Sequence, residues 1–177
     1  TVQNDGRDAQ VAATKLADSE PEAVIIGLAG KPTLDFVKAF RSQRRGTPLY
    51  ALSVMGAAAT LQALGRDAAG MAITQVVPQP TNPAVPIVRE FMQAWKNANM
   101  AQEPSHSALE GYIIARTFCE ALQRAGKNPS RAAFIDATWS LKKWDMGGFE
   151  INATEPGQNA SRFVELTLVG RDGRFMR

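Results

Sequence analysis

The side chains that most often perform catalysis or bind metals are scarce in this sequence. Its 177 residues include one histidine, His106, and one cysteine, Cys119. His106 lies in a polar stretch just before a predicted helix, which favours an exposed loop histidine over a general base. Cys119 follows Phe118 inside that helix, which favours a buried, inert thiol over a nucleophile. One histidine and one cysteine can form neither an internal disulfide nor a zinc site from the usual ligands, so we expect no catalytic residue and no metal.

Motifs for phosphate, dinucleotide or nucleic-acid binding are also missing. The sequence contains no Gly-x-Ser-x-Gly, no Gly-x-x-x-x-Gly-Lys-Ser/Thr and no Gly-x-Gly-x-x-Gly. Lys and Arg number 20 against 17 Asp and Glu, a formal charge of +3, and the two signs are interspersed. The closest basic cluster, Arg41-Ser-Gln-Arg44-Arg45, ends a predicted helix, where cations favour the negative end of the helix dipole. The sequence therefore predicts no cofactor and no nucleic-acid partner.

Strand-like and helix-like segments alternate in the first half of the chain. Apolar runs at 23–28, 49–53 and 71–77 are typical of buried strands, and the segments between them carry apolar residues at helical spacing. Strands separated by helices of about ten residues indicate a parallel sheet with right-handed crossovers. The predicted fold class is α/β, a parallel sheet with flanking helices.

The pattern changes at Pro78, where four prolines fall within nine residues and predict a stiff connector. Three helices are predicted beyond it: one over 87–97, one opening at Ser107, whose capping box would include Glu110, and one capped by Ser130. The chain then returns to strand character, with an Asp-Gly hairpin signal at 172–173.

Two loops of the predicted sheet have the composition of a binding site. In open parallel sheets, ligands bind in the loops that follow the carboxyl ends of the strands. Here those loops are 28–31 and 53–56, in which Lys31 and Ser53 could make polar contacts and Met55 an apolar one. The alternative interpretation, that the glycines of these loops only make the turns, is equally supported by the residues alone.

Several segments together resemble one protein family. They are the runs 70–80, 86–92, 109–115, 120–126, 147–149 and 169–173. In this order they resemble the type I periplasmic binding proteins, and most of all the branched-chain amino acid (Leu/Ile/Val-binding) substrate-binding proteins of ABC transporters. The resemblance implies two α/β lobes that close on a small-molecule solute, a periplasmic location, and delivery of the solute to the membrane permease of an ABC transporter. It implies no catalysis.

The resemblance also implies how the chain is divided, and that it corresponds to the C-terminal portion of such a protein. Residues 1–77 would be the second half of the C-terminal ligand-binding lobe, 78–147 a hinge connector with helices that return to the N-terminal lobe, and 148–177 strands that cross back. The hinge residues would be Val77, Pro78, Gln79 and Pro80. The helices at 87–122 would then need cover from a missing N-terminal lobe or from a second copy. The apolar residues expected to need that cover are Phe91, Trp95, Tyr112, Phe118 and Leu122.

Carried over position by position, the resemblance assigns the solute contacts to the same two loops. They are Ala29, Gly30 and Lys31 after the first strand, and Ser53, Val54 and Met55 after the second. Amino-acid binders hold the ligand's ammonium group with an acidic side chain in the second loop, a place that falls here to Met55. Among branched-chain amino acids and related carboxylates, this departure favours a carboxylate or a neutral solute, with Lys31 pairing an anion.

Two other functions fit the same fold class. One is a ligand-sensing regulatory domain, which a preceding DNA-binding or signalling module would favour. The other is an α/β enzyme, which would require a pair of titratable side chains that the sequence does not offer.

Overall fold

The computed structural model describes residues 1–176, which form helices and strands in mixed order. The helices are α1 (Ala9–Asp18), α2 (Lys31–Gln43), α3 (Ala58–Leu64), α4 (Pro86–Asn97), α5 (His106–Ala125) and α6 (Arg131–Trp139). The strands are β1 (Val24–Ile26), β2 (Leu49–Ala51), β3 (Ala72–Gln75), β4 (Trp144–Asp145), β5 (Glu150–Ile151), β6 (Glu165–Val169) and β7 (Phe175–Met176). Short 3-10 turns follow β2 at Ser53–Met55 and α3 at Gly65–Ala68.

The larger sheet has the strand order β1-β2-β3-β6-β7. Strands β1, β2 and β3 are parallel, which confirms the prediction from βα alternation. Strand β6 runs antiparallel to β3, and β7 antiparallel to β6, so the predicted hairpin completes the sheet. The turn between β6 and β7 closes where Gly173 N–H donates to the Gly170 carbonyl at 3.1 Å.

The chain divides into two compact units. Unit 1 contains residues 1–75 and the segment that begins at Glu165, and unit 2 contains residues 76–164. Strand β5 pairs with β4 inside unit 2. The chain therefore re-enters unit 1 at Glu165, later than the boundary at 148 that the sequence suggests.

The core of unit 1 lies between one face of the sheet and the helices α1, α2 and α3. Along β1 and β2 the residues alternate buried, exposed, buried, so each strand turns every second side chain toward the helices. Fully buried members of this core include Val37, Phe40, Leu49, Ile73 and Val169. This packing fixes α2 against the strands whose loops form the predicted site.

Unit 2 has its own core, built from α4, α5, α6 and the β4–β5 hairpin. Phe91 is 2% exposed and stacks at an angle against Trp95 and Tyr112, both half-buried. The expectation of an outside cover is therefore wrong for Phe91, which unit 2 buries itself, while Trp95 and Tyr112 are partly covered by the same core. Of the five residues named from the sequence, only Phe118 and Leu122 are exposed.

The N-cap of helix α5 lies two residues earlier than the sequence suggests. Its N-cap is Ser105, whose hydroxyl accepts the Ala108 N–H at 3.2 Å, so the predicted capping box of Ser107 and Glu110 is wrong. The predicted cap of α6 is confirmed, since the Ser130 hydroxyl accepts the Ala133 N–H at 3.1 Å. Both serines satisfy an N–H group that the first turn of a helix leaves without a carbonyl partner.

We expect Ser105→Ala to lower the free energy of unfolding by about 1 kcal/mol, because the first turn of α5 loses its only side-chain acceptor of this kind. The exposed Ser107 provides the matched control, and Ser107→Ala should change stability by less than about 0.5 kcal/mol. Urea denaturation of the two variants measures both values. Equal losses at the two serines would contradict the assignment of the cap.

Candidate functional site

The loops after β1 and β2 lie at the same edge of the sheet. The strands are parallel neighbours with Ile26 paired to Ala51, and the ladder continues where Leu52 N–H donates to the Ile26 carbonyl at 3.4 Å. Parallel strands that end in register place their following loops side by side. The structure thus brings together the two loops that the sequence singles out.

The chain leaves and re-enters unit 1 at this same edge. Strand β3 runs parallel to β2, so it also ends there, and the antiparallel β6 begins there. Gln75, the last residue of unit 1 before the crossing, is the register partner of Glu165, the first residue after it. Both crossings between the units therefore start from adjacent strand ends next to the two loops.

The first loop presents an open backbone and one cation. Ala29, Gly30 and Lys31 are all exposed. Gly30 is the N-cap of α2 with φ of 63°, a conformation that favours glycine, and no atom lies within 4 Å of the place where a Cβ would stand. Lys31 opens α2, and its ammonium group pairs with Asp35 one turn on, at a largely exposed position. The loop can therefore receive a polar group through both backbone and ammonium donors.

The second loop turns a different apolar side chain outward than expected. Met55 is 0% exposed and belongs to the core of unit 1, so its side chain is not available to a solute. Val54, its neighbour in the 3-10 turn, is 62% exposed, and Ser53 is half-buried. The turn is held where Met55 N–H donates to the Leu52 carbonyl at 3.0 Å. Of the two apolar side chains of this turn, Val54 and not Met55 is open to solvent.

A buried polar pair lies beneath the second loop and was not found from the sequence. The Gln75 amide donates to the Thr167 hydroxyl at 3.2 Å, and that hydroxyl donates to the Ile73 carbonyl at 3.0 Å. Both side chains are 1% exposed. A Cβ on Gly56 would lie 3.4 Å from the Gln75 amide nitrogen, so the end of the loop rests closely on this pair. In the sequence these two polar residues stand in mostly apolar strands that also contain Thr74 in β3 and Glu165 in β6, so nothing singles them out.

The predicted hinge segment begins directly after the boundary between the units. Val77 and Pro78 are buried, Gln79 is half-buried and Pro80 is buried. Val77 belongs to the core of unit 2. The segment lies next to the crossing, and its role as a hinge stays a prediction.

The burial of His106 and Cys119 is the reverse of what the sequence predicts. His106 is 8% exposed as the first residue of α5, so it is not an exposed loop histidine. Cys119 is exposed and not buried. Within residues 1–176, no group of three or more His, Cys, Asp or Glu side chains could hold a metal ion.

One cluster of titratable side chains links α4 to α5. The Tyr112 hydroxyl donates to a Glu90 carboxylate oxygen at 2.9 Å, and Arg116 pairs with the same oxygen. Burial raises the pKa of the Tyr112 phenol, which keeps it protonated as a donor at neutral pH. Because these contacts tie together two helices of one unit, we assign the cluster a structural role.

Residues 1–176 contain six α-helices of 7 to 20 residues. None of them is long and apolar enough to cross a membrane.

Comparison with known proteins decides the family. The sequence model of the family described as "Periplasmic binding protein" matches residues 1–174. The chain belongs to the periplasmic binding protein family. No curated protein matches it.

Solved structures of periplasmic binding proteins match nearly the whole chain. An extracellular ligand-binding receptor from Verminephrobacter eiseniae is 30% identical with a TM-score of 0.84, over 99% of this chain and 50% of that one. A substrate-binding periplasmic protein from Ralstonia solanacearum is 28% identical with a TM-score of 0.79, over 97% and 49% of the two chains. A possible leucine/isoleucine/valine-binding protein from Rhodopirellula baltica is 27% identical with a TM-score of 0.82, over 96% and 47%.

These matches confirm the α/β fold of a type I periplasmic binding protein. They also show that the chain spans about half the length of the solved structures it matches. The loops after β1 and β2 thus belong to a protein of a solute-binding family.

Proposed function

We propose that this chain is part of an extracytoplasmic solute-binding protein of an ABC importer, and that it binds a small organic solute without transforming it. The observation that supports this most is the shared edge of the sheet, where two exposed loops stand side by side in a member of a solute-binding family. Ligands of open parallel sheets bind at this edge. Membership of this family also supports the proposed periplasmic location.

The proposed solute is a branched-chain amino acid or a related carboxylate. The R. baltica protein, 27% identical, is described as a possible leucine/isoleucine/valine-binding protein. In this chain Val54 would supply the apolar contact and Lys31 the charge for a carboxylate. Lys31 is ready to exchange partners, because its pair with Asp35 is largely exposed and such pairs contribute little to stability. Neither loop carries an acidic side chain between 28–31 or 53–56, which favours a carboxylate without an α-amino group.

The proposed partners are the solute, the membrane permease of an ABC transporter, and a second lobe that completes the binding cleft. Closure on the solute would bend the segment Val77–Pro80 together with the return crossing before Glu165. On α5, the exposed residues Phe118 and Leu122 stand one turn apart and would pack against the second lobe or another copy of the chain.

The test is a thermal-shift screen of the full-length receptor against branched-chain amino acids, their hydroxy- and keto-acid analogues, dicarboxylates and neutral amides. A ligand at 100 times its Kd stabilises the native state by about 2.7 kcal/mol, which raises the melting temperature by several degrees. We expect the hydroxy- and keto-acid analogues, which carry a carboxylate but no α-amino group, to give the largest shifts in melting temperature. If no compound raises the melting temperature, the proposal of small-organic transport fails, and turnover of any compound would favour an enzyme instead.

Lys31→Ala should weaken the binding of a carboxylate solute by about ten- to hundredfold, because a charge-assisted contact is lost. The binding of a neutral amide analogue should stay unchanged. Lys38→Ala on the same helix is the matched control, since Lys38 is also exposed but lies two turns further from the loop. Isothermal titration calorimetry measures the affinity of the wild type and of both variants for the carboxylate and for the amide. Equal losses for Lys31→Ala and Lys38→Ala would indicate a diffuse charge effect and would remove Lys31 from the site.

A further inference from the structure

Three segments of unit 1 meet at one buried polar contact. The Gln75 side chain at the end of β3 donates to the Thr167 hydroxyl of β6 at 3.2 Å. The third segment is the second loop, whose end at Gly56 packs closely on the Gln75 amide. These residues are far apart in the sequence, so only the fold brings them together.

The hydrogen bonds of this contact run in one direction. The Thr167 hydroxyl has one proton, which it donates to the Ile73 carbonyl at 3.0 Å. Its lone pairs are left to accept, and they hold the NH2 end of the Gln75 carboxamide toward Thr167. Because hydrogen bonds have a preferred distance and angle, the pair fixes the place of one amide nitrogen at the base of the loop.

Stability alone does not account for a polar pair at this place. Gln75 and Thr167 are each 1% exposed, and a buried group that loses its partner costs about 1–3 kcal/mol. Replacing both partners by apolar groups of the same shape can be nearly neutral or even stabilising. What an apolar pair would not supply is a directional contact beneath the second loop.

The end of the second loop fits closely onto this pair because it is a glycine. The φ of Gly56 is −74°, which every residue can adopt, so the backbone conformation does not require glycine. The requirement is spatial. A Cβ there would lie 3.2 Å from the Ser53 carbonyl oxygen, 3.4 Å from the Gln75 amide nitrogen and 3.5 Å from the Phe175 ring. An added methyl group would therefore have to displace the loop or the amide.

The loop is anchored at two successive residues. The Met55 side chain lies in the apolar core of unit 1, and Gly56 lies on the polar pair. The turn is closed where Met55 N–H donates to the Leu52 carbonyl at 3.0 Å and Gly56 N–H donates to the Ser53 carbonyl at 2.9 Å. Ser53 and Val54 directly precede these anchors, so their positions depend on both.

We propose that Gln75 and Thr167 are positioning residues of the solute site, which hold the second loop so that Ser53 and Val54 face the solute. The role in solute binding rests on the proposed function. The hold on the loop does not, and it can be measured without a solute.

Hydrogen exchange of backbone amides in the full-length protein tests the hold on the loop. Thr167→Val keeps the shape of the side chain and removes the hydroxyl, so we expect exchange at Met55 and Gly56 to become at least tenfold faster. Thr167→Ser keeps the hydroxyl and should restore exchange to within about threefold of the wild type. Thr74→Val is the matched control on the opposite side of β3, since its hydroxyl contacts only the Ala51 carbonyl at 3.5 Å, and it should leave exchange at both amides unchanged.

The amide of Val24 separates a loosened loop from a general loss of stability. Val24 N–H donates to the Pro48 carbonyl at 3.0 Å, at the start of β1 and so at the opposite edge of the sheet. Equal acceleration at positions 24 and 55 in Thr167→Val would overturn the proposal, as would unchanged exchange at Met55. Gly56→Ala changes the contact from the loop side and repeats the measurement at Met55 should Thr167→Val fold poorly.

Isothermal titration calorimetry with the best ligand of the thermal-shift screen tests the role in binding. We expect Thr167→Val to bind this ligand about tenfold more weakly, and Thr167→Ser and Thr74→Val to bind it like the wild type. Wild-type affinity in Thr167→Val despite faster exchange in the loop would overturn the positioning role. If no compound binds the wild type, the proposed function fails, and the exchange rates still decide whether the pair holds the loop.

Discussion

We expect the full-length protein carrying Val54→Trp to bind the proposed solute at least a hundredfold more weakly than the wild type. Val54 is 62% exposed in the loop after β2, at the edge where the loop after β1 also ends. An indole ring there would occupy the space that the proposed solute needs, and a hundredfold loss corresponds to about 2.7 kcal/mol of binding free energy. Isothermal titration calorimetry with the best ligand of the thermal-shift screen measures the change.

The stability of the same variant separates a blocked site from a damaged fold. Because Val54 is exposed, Val54→Trp should leave the unliganded melting temperature within about 2 °C of the wild type. Val11→Trp on α1, at an equally open position, should change neither the affinity nor the melting temperature. Wild-type affinity in Val54→Trp would move the solute away from the second loop and would remove Ser53 and Val54 from the site.

The second large effect is on stability, where Arg41→Ala should lower the free energy of unfolding by about 2–4 kcal/mol. Arg41 is 6% exposed, and its guanidinium group donates to the carbonyls of Arg45 at 2.6 Å, Thr47 at 2.8 Å and Asp67 at 3.3 Å. Burial lowers the pKa of this guanidinium group, opposed by the charge of Asp67, yet an arginine stays protonated near neutral pH. Its removal leaves the carbonyl groups without these donors.

Arg45→Ala is the matched control within the same basic cluster. The Arg45 side chain is exposed, and Arg45→Ala keeps the backbone carbonyl that accepts from Arg41, so the replacement should cost less than about 0.5 kcal/mol. Urea denaturation of the two variants gives the comparison. A loss below about 1 kcal/mol in Arg41→Ala would show that water replaces these hydrogen bonds without penalty. The sequence-based view of this cluster as cations near a helix end does not account for the burial of Arg41.

The order and direction of the elements could be predicted from the sequence because they depend on local patterns. Apolar runs separated by segments of helical periodicity indicate parallel strands joined by helices, and the Asp-Gly turn signals a hairpin between β6 and β7. Local patterns could not choose between Ser105 and Ser107 as the cap of α5. Both are good N-cap residues, and only the backbone conformation at each position decides which hydroxyl meets an N–H group.

The placements of His106 and Cys119 depend on the rotation of α5 about its axis. Successive residues of a helix turn by about 100°. His106 lies three residues before the buried Leu109, about 60° away, and so shares its face. Cys119 lies two residues before the buried Ala121, about 160° away, and so faces outward. The apolar residues of α5 are too widely spread around the helix for the sequence to single out this face.

The candidate site was predicted in part for a similar reason. The parallel arrangement of β1 and β2 follows from the pattern, and it is enough to bring the loops 29–31 and 53–55 to one edge of the sheet. The parallel arrangement does not predict that Val54 is exposed and Met55 buried. A 3-10 turn of three residues points each side chain in a different direction, and the core of unit 1 takes up the one that fills its space.

By itself, then, the sequence determined the family, the alternation of strands and helices, and the two loops that meet at the carboxyl ends of parallel strands. These depend on residue periodicity and turn residues, which act over a few neighbours along the chain. Only the tertiary structure decided which side chains those loops expose and that Gln75 and Thr167 support one of them. These depend on contacts between segments far apart in the chain, which short-range patterns do not encode.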